Sequence, residues 1–187
     1  MQELISMESL VALAGLVGRK FLGLSGPGLS DIKIAEIVYV MSEGVTLMVR
    51  ANLLEYDIEQ NQDDGCEITV DIVEHVIAEE YVAQGKFLDL NSRQLIKDVK
   101  IIRNFIKGST ASEVTLDFVT DVGIYFELDQ GSFALIKTSY HDELMCVAYN
   151  TGIPDLPVTS SRFEDSMSEH FETRVQVLTI PQALGNA

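Results

Sequence analysis

The chain has 187 residues, 47% of them apolar, and carries 13 Lys and Arg against 29 Asp and Glu, for a formal charge of −16. That length and apolar content support a buried core and exclude a disordered chain, while a field of this sign repels nucleic acid and anionic membrane. Two cysteines without CxxC spacing, Cys66 and Cys146, exclude a zinc framework and a disulfide-stapled scaffold and read as free thiols.

The first predicted element is a helix, because Leu10, Leu13, Ala14, Val17 and Phe21 recur mostly at three- and four-residue steps after Ser9, a residue suited to an N-cap. The apolar stretch at 10–17 is too short to cross a bilayer and follows an acidic lead, so the chain is expected in the cytoplasm. A Lys-Phe-Leu-x-Leu box follows at 20–24, then a Gly-Pro-Gly turn at 26–28 and an Asp-Ile-Lys-Ile at 31–34. From Ile37 the period turns to alternation with β-branched residues, which predicts a hairpin over 37–52 about Ser42-Glu43-Gly44.

The polar cluster at 61–65 predicts a mobile loop, followed by a short strand at 67–72. Val73, Val76, Ile77 and Tyr81 then predict a second helix, stopped near Gly85. Both boxes recur after it, Lys-Phe-Leu-x-Leu at 86–90 and Asp-Val-Lys-Ile at 98–101, and residues 37–52 match 124–139 in apolar pattern with Gly44 over Gly131. Strands are predicted at 99–106, 113–118, 123–128, 132–138 and 144–149. Prolines at 154 and 157 mark a linker, and Arg174–Ile180 has the composition of a last strand that docks on a sheet edge and ends at Pro181.

This repetition predicts an α+β fold of two tandem related units, each a helix followed by antiparallel strands, with pseudo-twofold symmetry. The units would be residues 1–65 and 66–150, the second with an insertion near 107–119. Residues 151–187 would supply a linker and the C-terminal strand, and the whole could form one compact domain.

Chemistry-bearing patterns fail where they are most diagnostic. His75, His141 and His170 form no HExxH, and an EF-hand frame with Gly65 at its sixth position puts Gln60 first and Asp71 twelfth, where Asp and Glu are required. The stretch at 15–20 lacks GxxxxGK[ST] spacing, and no GxSxG is present. The sequence therefore assigns no catalytic residue, no cofactor and no metal, and points away from an enzyme.

The charge is unevenly placed. Between Leu53 and Gly85 there are ten Asp or Glu and no Lys or Arg. Glu55, Asp57, Glu59, Asp63, Asp64, Glu67, Glu79 and Glu80 are the candidate partner-binding residues, since such a stretch accelerates encounter with a cationic partner. Lys86, Arg93, Lys97, Lys100, Arg103 and Lys107 make the following stretch basic. They would balance the acids internally or let one copy of the chain meet another. The functional expectation is a non-catalytic acidic cytoplasmic binding protein that engages a basic protein partner, in its most concrete form an immunity-type inhibitor of a cationic toxin. The alternative is a small-ligand or regulatory domain using the cleft between the repeats.

Overall fold

The computed structural model describes residues 2–29, 33–58, 61–90, 93–138, 143–152 and 170–185, with the backbone alone at 55–58 and 61–65. Strands dominate. In chain order the elements are β1 (Gln2–Glu3), α1 (Met7–Ala14), β2 (Phe21–Ser25), β3 (Ile34–Ala35), β4 (Ile37–Ser42), β5 (Val45–Ile58), β6 (Asn61–Val73), α2 (His75–Ala83) and β7 (Phe87–Leu88). Then follow β8 (Ile96–Ser109), β9 (Val114–Leu128), β10 (Ser132–Lys137), β11 (Met145–Tyr149), β12 (His170–Thr179) and α3 (Ile180–Leu184).

The strands form two sheets. The larger runs β12-β8-β9-β10-β11-β3, with β1 added to β9, and the smaller runs β6-β5-β4-β2-β7. Every ladder is antiparallel except β1 with β9. Their inner faces share one apolar interior. Val38, Val40, Leu47 and Val49 of the small sheet and Val99, Ile101, Ile124, Phe126 and Leu135 of the large one are all buried in it. The alternation that predicted half-buried strands is what supplies these faces, since successive strand residues point to opposite sides. Phe21 of β2 stacks on Phe133 of β10 at 4.9 Å between ring centroids, and Phe133 stacks on Phe126 at 4.4 Å, which carries aromatic packing from one sheet to the other.

The helices close the interior and cover the small sheet. In α1, Leu10 and Leu13 are buried in the shared core, and Ile180 and Ala183 of α3 join them. The N-cap of α1 is Ser6, not Ser9, because Ser6 Oγ accepts the Ser9 N–H at 3.2 Å. Ser9 is turned inward instead. Its hydroxyl donates to the Val70 carbonyl at 3.0 Å and accepts the Val70 N–H at 3.1 Å, so a side chain occupies the edge of β6 where another strand would otherwise pair. On the outer face of the small sheet, α2 packs Ala78, Tyr81 and Val82 against Tyr39, Met41 and Phe87.

This arrangement overturns the expectation of two tandem helix-then-strand units with pseudo-twofold symmetry. The protein is mostly β, with two antiparallel sheets and three helices among the described residues. A helix does precede each Lys-Phe-Leu box, but the boxes sit side by side in one sheet, Leu24 opposite Leu88 and Ser25 opposite Phe87. Of the two Asp-x-Lys-Ile motifs, one ends in the two-residue β3 at the edge of the large sheet, and the other lies within the 14-residue β8. The physical reason is that alternation fixes which face of a strand is apolar and is silent on which strand lies beside it. Two further expectations change. Residues 61–65 are strand, not loop, held in register opposite β5. The strands predicted at 113–118 and 123–128 are one element, β9, with an irregularity opposite Ile102 and Arg103. The final strand docks on β8 at the edge of the large sheet, and Pro181 is the second residue of α3, in the first turn, which tolerates proline. The linker prolines 154 and 157 lie outside the described residues.

Gly23 is needed where β2 and β7 meet. Its φ is 138°, and a Cβ there would collide with the Phe87 ring and come within 3.2 Å of the Leu88 carbonyl. Gly23→Ala is therefore expected to destabilise the fold by roughly 1–3 kcal/mol, through overpacking and backbone strain together. Urea unfolding checks this. An unchanged midpoint would mean that β7 does not hold Phe87 against β2.

Candidate functional site

The acidic stretch folds largely into a two-stranded arm. β4 accompanies β5 only as far as Arg50, opposite Ile37, whereas β5 and β6 remain paired to Ile58 opposite Asn61. Beyond Arg50, β6 is the ladder partner of β5 among the described residues. The register sets Glu55 opposite Asp64, Tyr56 opposite Asp63 and Asp57 opposite Gln62. Polar residues with weak strand preference are carried along because each pairs with a residue of β5, an instance of the ladder overriding local propensity.

The eight candidate residues do not form one patch. Glu55, Asp57, Asp63 and Asp64 lie on the arm, Glu59 falls outside the described residues, and Glu67 is half-buried at the arm's root opposite Asn52. Glu79 and Glu80 are on α2. Asp64 and Val73 are nine residue steps apart along β6, which at ~3.3 Å each is about 30 Å. Glu79 lies 3.6 Å from His75 Nε2, and His75 Nδ1 shares a 2.6 Å hydrogen bond with the Thr46 hydroxyl. Burial, then Tyr81 and Glu80, push the Tyr39 phenol above its ordinary value, so Glu80 acts on the cover of the small sheet.

Three bases of the basic stretch are paired within the large sheet. Lys97 pairs with Asp129 at 3.4 Å, Lys100 with Glu127 at 2.9 Å and Asp98 at 3.6 Å, and Arg103 with Asp121 at 2.7 Å, all inside the large sheet or at its turn. Arg93, Lys97 and Lys100 do not share a helix face, because 97 and 100 are in β8.

Among the described residues four charged side chains are buried, a feature the sequence reading missed. Where β10 ends at Lys137, β1 takes up the vacated side of β9, with Glu3 opposite Thr120. Glu3 Oε2 accepts from Lys137 Nζ at 3.4 Å and from the Thr120 hydroxyl at 3.0 Å, and Lys137 also donates to Thr120 Oγ1 and to the Cys66 carbonyl of β6. Burial pushes the Lys137 ammonium below the usual lysine range, a shift that the nearby Glu3 carboxylate opposes without cancelling. Beside it Arg103 holds Asp121 through Nε at 2.7 Å and Nη2 at 3.1 Å, and Asp121 Oδ2 accepts the Ile5 N–H at 2.9 Å. Arg103, Asp121, Glu3 and Lys137 are each at most 2% exposed. No sequence motif announces them, although charged residues at alternating, otherwise apolar strand positions, 101-103 and 135-137, are the signal that would have found two of them.

Two cavities adjoin on the inner face of the large sheet beyond this cluster. One, of about 310 Å³, is lined by Gln2, Leu4, Arg103, Phe105, Val119 and Gln176. The other, of about 520 Å³, includes Phe105, Lys107, Asp117, Glu172 and Arg174. Among the described residues no three of His, Cys, Asp and Glu are grouped so as to hold a metal ion, and no helix is long and apolar enough to cross a membrane. His141 lies outside the described residues. No protein-family model, curated protein or solved structure matches the chain.

Removing one member of the buried pair strands the other. Lys137→Met is expected to cost roughly 3–5 kcal/mol, because it leaves Glu3 ionised without its cation, and Glu3→Gln added to it should recover a large part of that loss. Denaturant unfolding of the two single variants and the double variant checks this. Strictly additive losses would mean that Glu3 and Lys137 act independently.

Proposed function

We propose that this chain is a non-catalytic acidic binding protein whose β5–β6 arm engages a basic protein partner, in the manner of an immunity-type inhibitor of a cationic toxin. The observation that carries the reading is the separation of charge. The ladder gathers Glu55, Asp57, Asp63 and Asp64 on an arm that outruns β4, while Lys97, Lys100 and Arg103 are spent on acids of the large sheet. A negative projection focuses a field outward and steers a cationic surface toward itself, with most of the gain in the association rate. The main-chain groups of β5 beyond Arg50 add a strand edge on which a partner segment can pair. One such group already takes a side-chain acceptor, since Leu53 N–H donates to Glu143 Oε1 at 3.2 Å.

The test compares the parent with a quadruple variant, Asp57→Asn, Glu59→Gln, Asp63→Asn and Asp64→Asn, as baits in pull-downs from the native source. The parent is expected to retain a basic protein that the variant loses, with association slowing steeply as ionic strength passes ~0.1 M, where screening acts over about 10 Å. Folding stability should barely differ, because exposed charges contribute about 1 kcal/mol or less each. Retention of the same proteins by both baits would reduce the arm to a solubilising feature.

A further inference from the structure

We propose that the adjoining cavities around Phe105 form a binding site for a small carboxylate with a flat apolar body, a site independent of the partner arm. The starting point is Arg103. A guanidinium has five N–H donors in a fixed plane. Here Nε and Nη2 are taken by Asp121, while Nη1 has no bond among the described residues, on a side chain only 2% exposed that lines the 310 Å³ cavity. Nη1 is therefore a donor held in place by the Asp121 pair and open to the cavity, where it can meet an acceptor from outside the chain.

The positions around Arg103 describe that acceptor. Gln176 is opposite Arg103 in the ladder, and its amide and that of Gln2 line the same cavity, with Leu4, Phe105 and Val119 as its apolar wall. Opposite Phe105 is Arg174, whose guanidinium carbon lies 4.6 Å from the centre of the Phe105 ring. Arg174 makes no ion pair with an acid among the described residues. The charge of Arg103 is already matched by Asp121, so Arg174 supplies the cation and Arg103 Nη1 the second donor. Two guanidiniums therefore flank one aromatic ring, and a carboxylate between them can lay a planar body on Phe105 and the aliphatic wall. Asp117 and Glu172 line the neighbouring cavity beside Lys107, and the lining of the 310 Å³ cavity contains no acid. Its volume is at the lower end of small-molecule sites, which run from about 300 to 1,000 Å³.

Calorimetric titration of the full chain at low ionic strength tests this with three probes. They are benzoate, its neutral isostere benzamide, and inorganic phosphate, which has charge and no flat body. Benzoate is expected to bind about tenfold more tightly than either of the others. Arg103→Gln would leave Asp121 buried and unpaired and could unfold the chain, so the informative variants are the exposed Arg174→Gln and Gln176→Glu. Each should weaken benzoate about tenfold while leaving benzamide and the thermal midpoint unaltered. Absence of benzoate heat, equal affinity for benzamide or phosphate, or unaltered benzoate binding in both variants would each overturn the proposal.

Discussion

Two sheets of unequal reach share one apolar interior, and the rest of the structure follows from how that interior ends. β8 and β9, at 14 and 15 residues, continue past the part of the large sheet that shares the core with the small one. On their inner face the apolar run Val99 and Ile101 gives way to Arg103, and Ile124 gives way to Asp121. A charged pair at that boundary is tolerable because it is bidentate and its remaining carboxylate capacity is used by the Ile5 N–H. The same boundary is where β10 stops and β1 starts, so Lys137 and Glu3 meet there. The cavities lie just beyond it. The interior thus ends in polar groups whose hydrogen bonds tie the N-terminal strand to both sheets.

Charge is partitioned by this plan. Bases of β8 find acids of β9 and its turn across one ladder, while the acids at 55, 57, 63 and 64 are carried on the separate β5–β6 ladder. A net charge of −16 therefore does not describe the whole surface. Around Phe105 three bases, Arg103, Lys107 and Arg174, stand among three acids, Asp117, Asp121 and Glu172, and the excess negative charge resides elsewhere. The two proposed binding regions accordingly ask for opposite kinds of ligand.

Sheet edges are treated differently at the two ends of the small sheet. Near the core, β6 has its edge groups at Val70 and Cys66 taken by Ser9 and Lys137, which removes a template for unwanted strand pairing. Along the arm, β5 beyond Arg50 has one edge group met by Glu143. Acidic residues in an edge strand also discourage pairing between like copies, since both edges would bring the same charge.

By itself the sequence determined the local elements with a strong period: the helices before both Lys-Phe-Leu boxes, the β4–β5 turn at Gly44, the hydrophobic faces of β8 to β11, and the last strand. Those follow from nearest-neighbour chemistry and from side chains that must all face one way. It also located the acidic stretch, because charge is read directly from residues. Tertiary structure alone decided that Phe21 and Phe87 belong to neighbouring strands of one sheet, that residues 61–65 extend as β6, and that Glu79 and Glu80 lie far from Asp63 and Asp64. It alone made Arg103 a buried partner of Asp121 at the wall of a cavity and not one of six surface bases. Each of these depends on which strand lies next to which, and partners up to 134 residues apart, as Glu3 and Lys137 are, leave no periodic trace in a single chain.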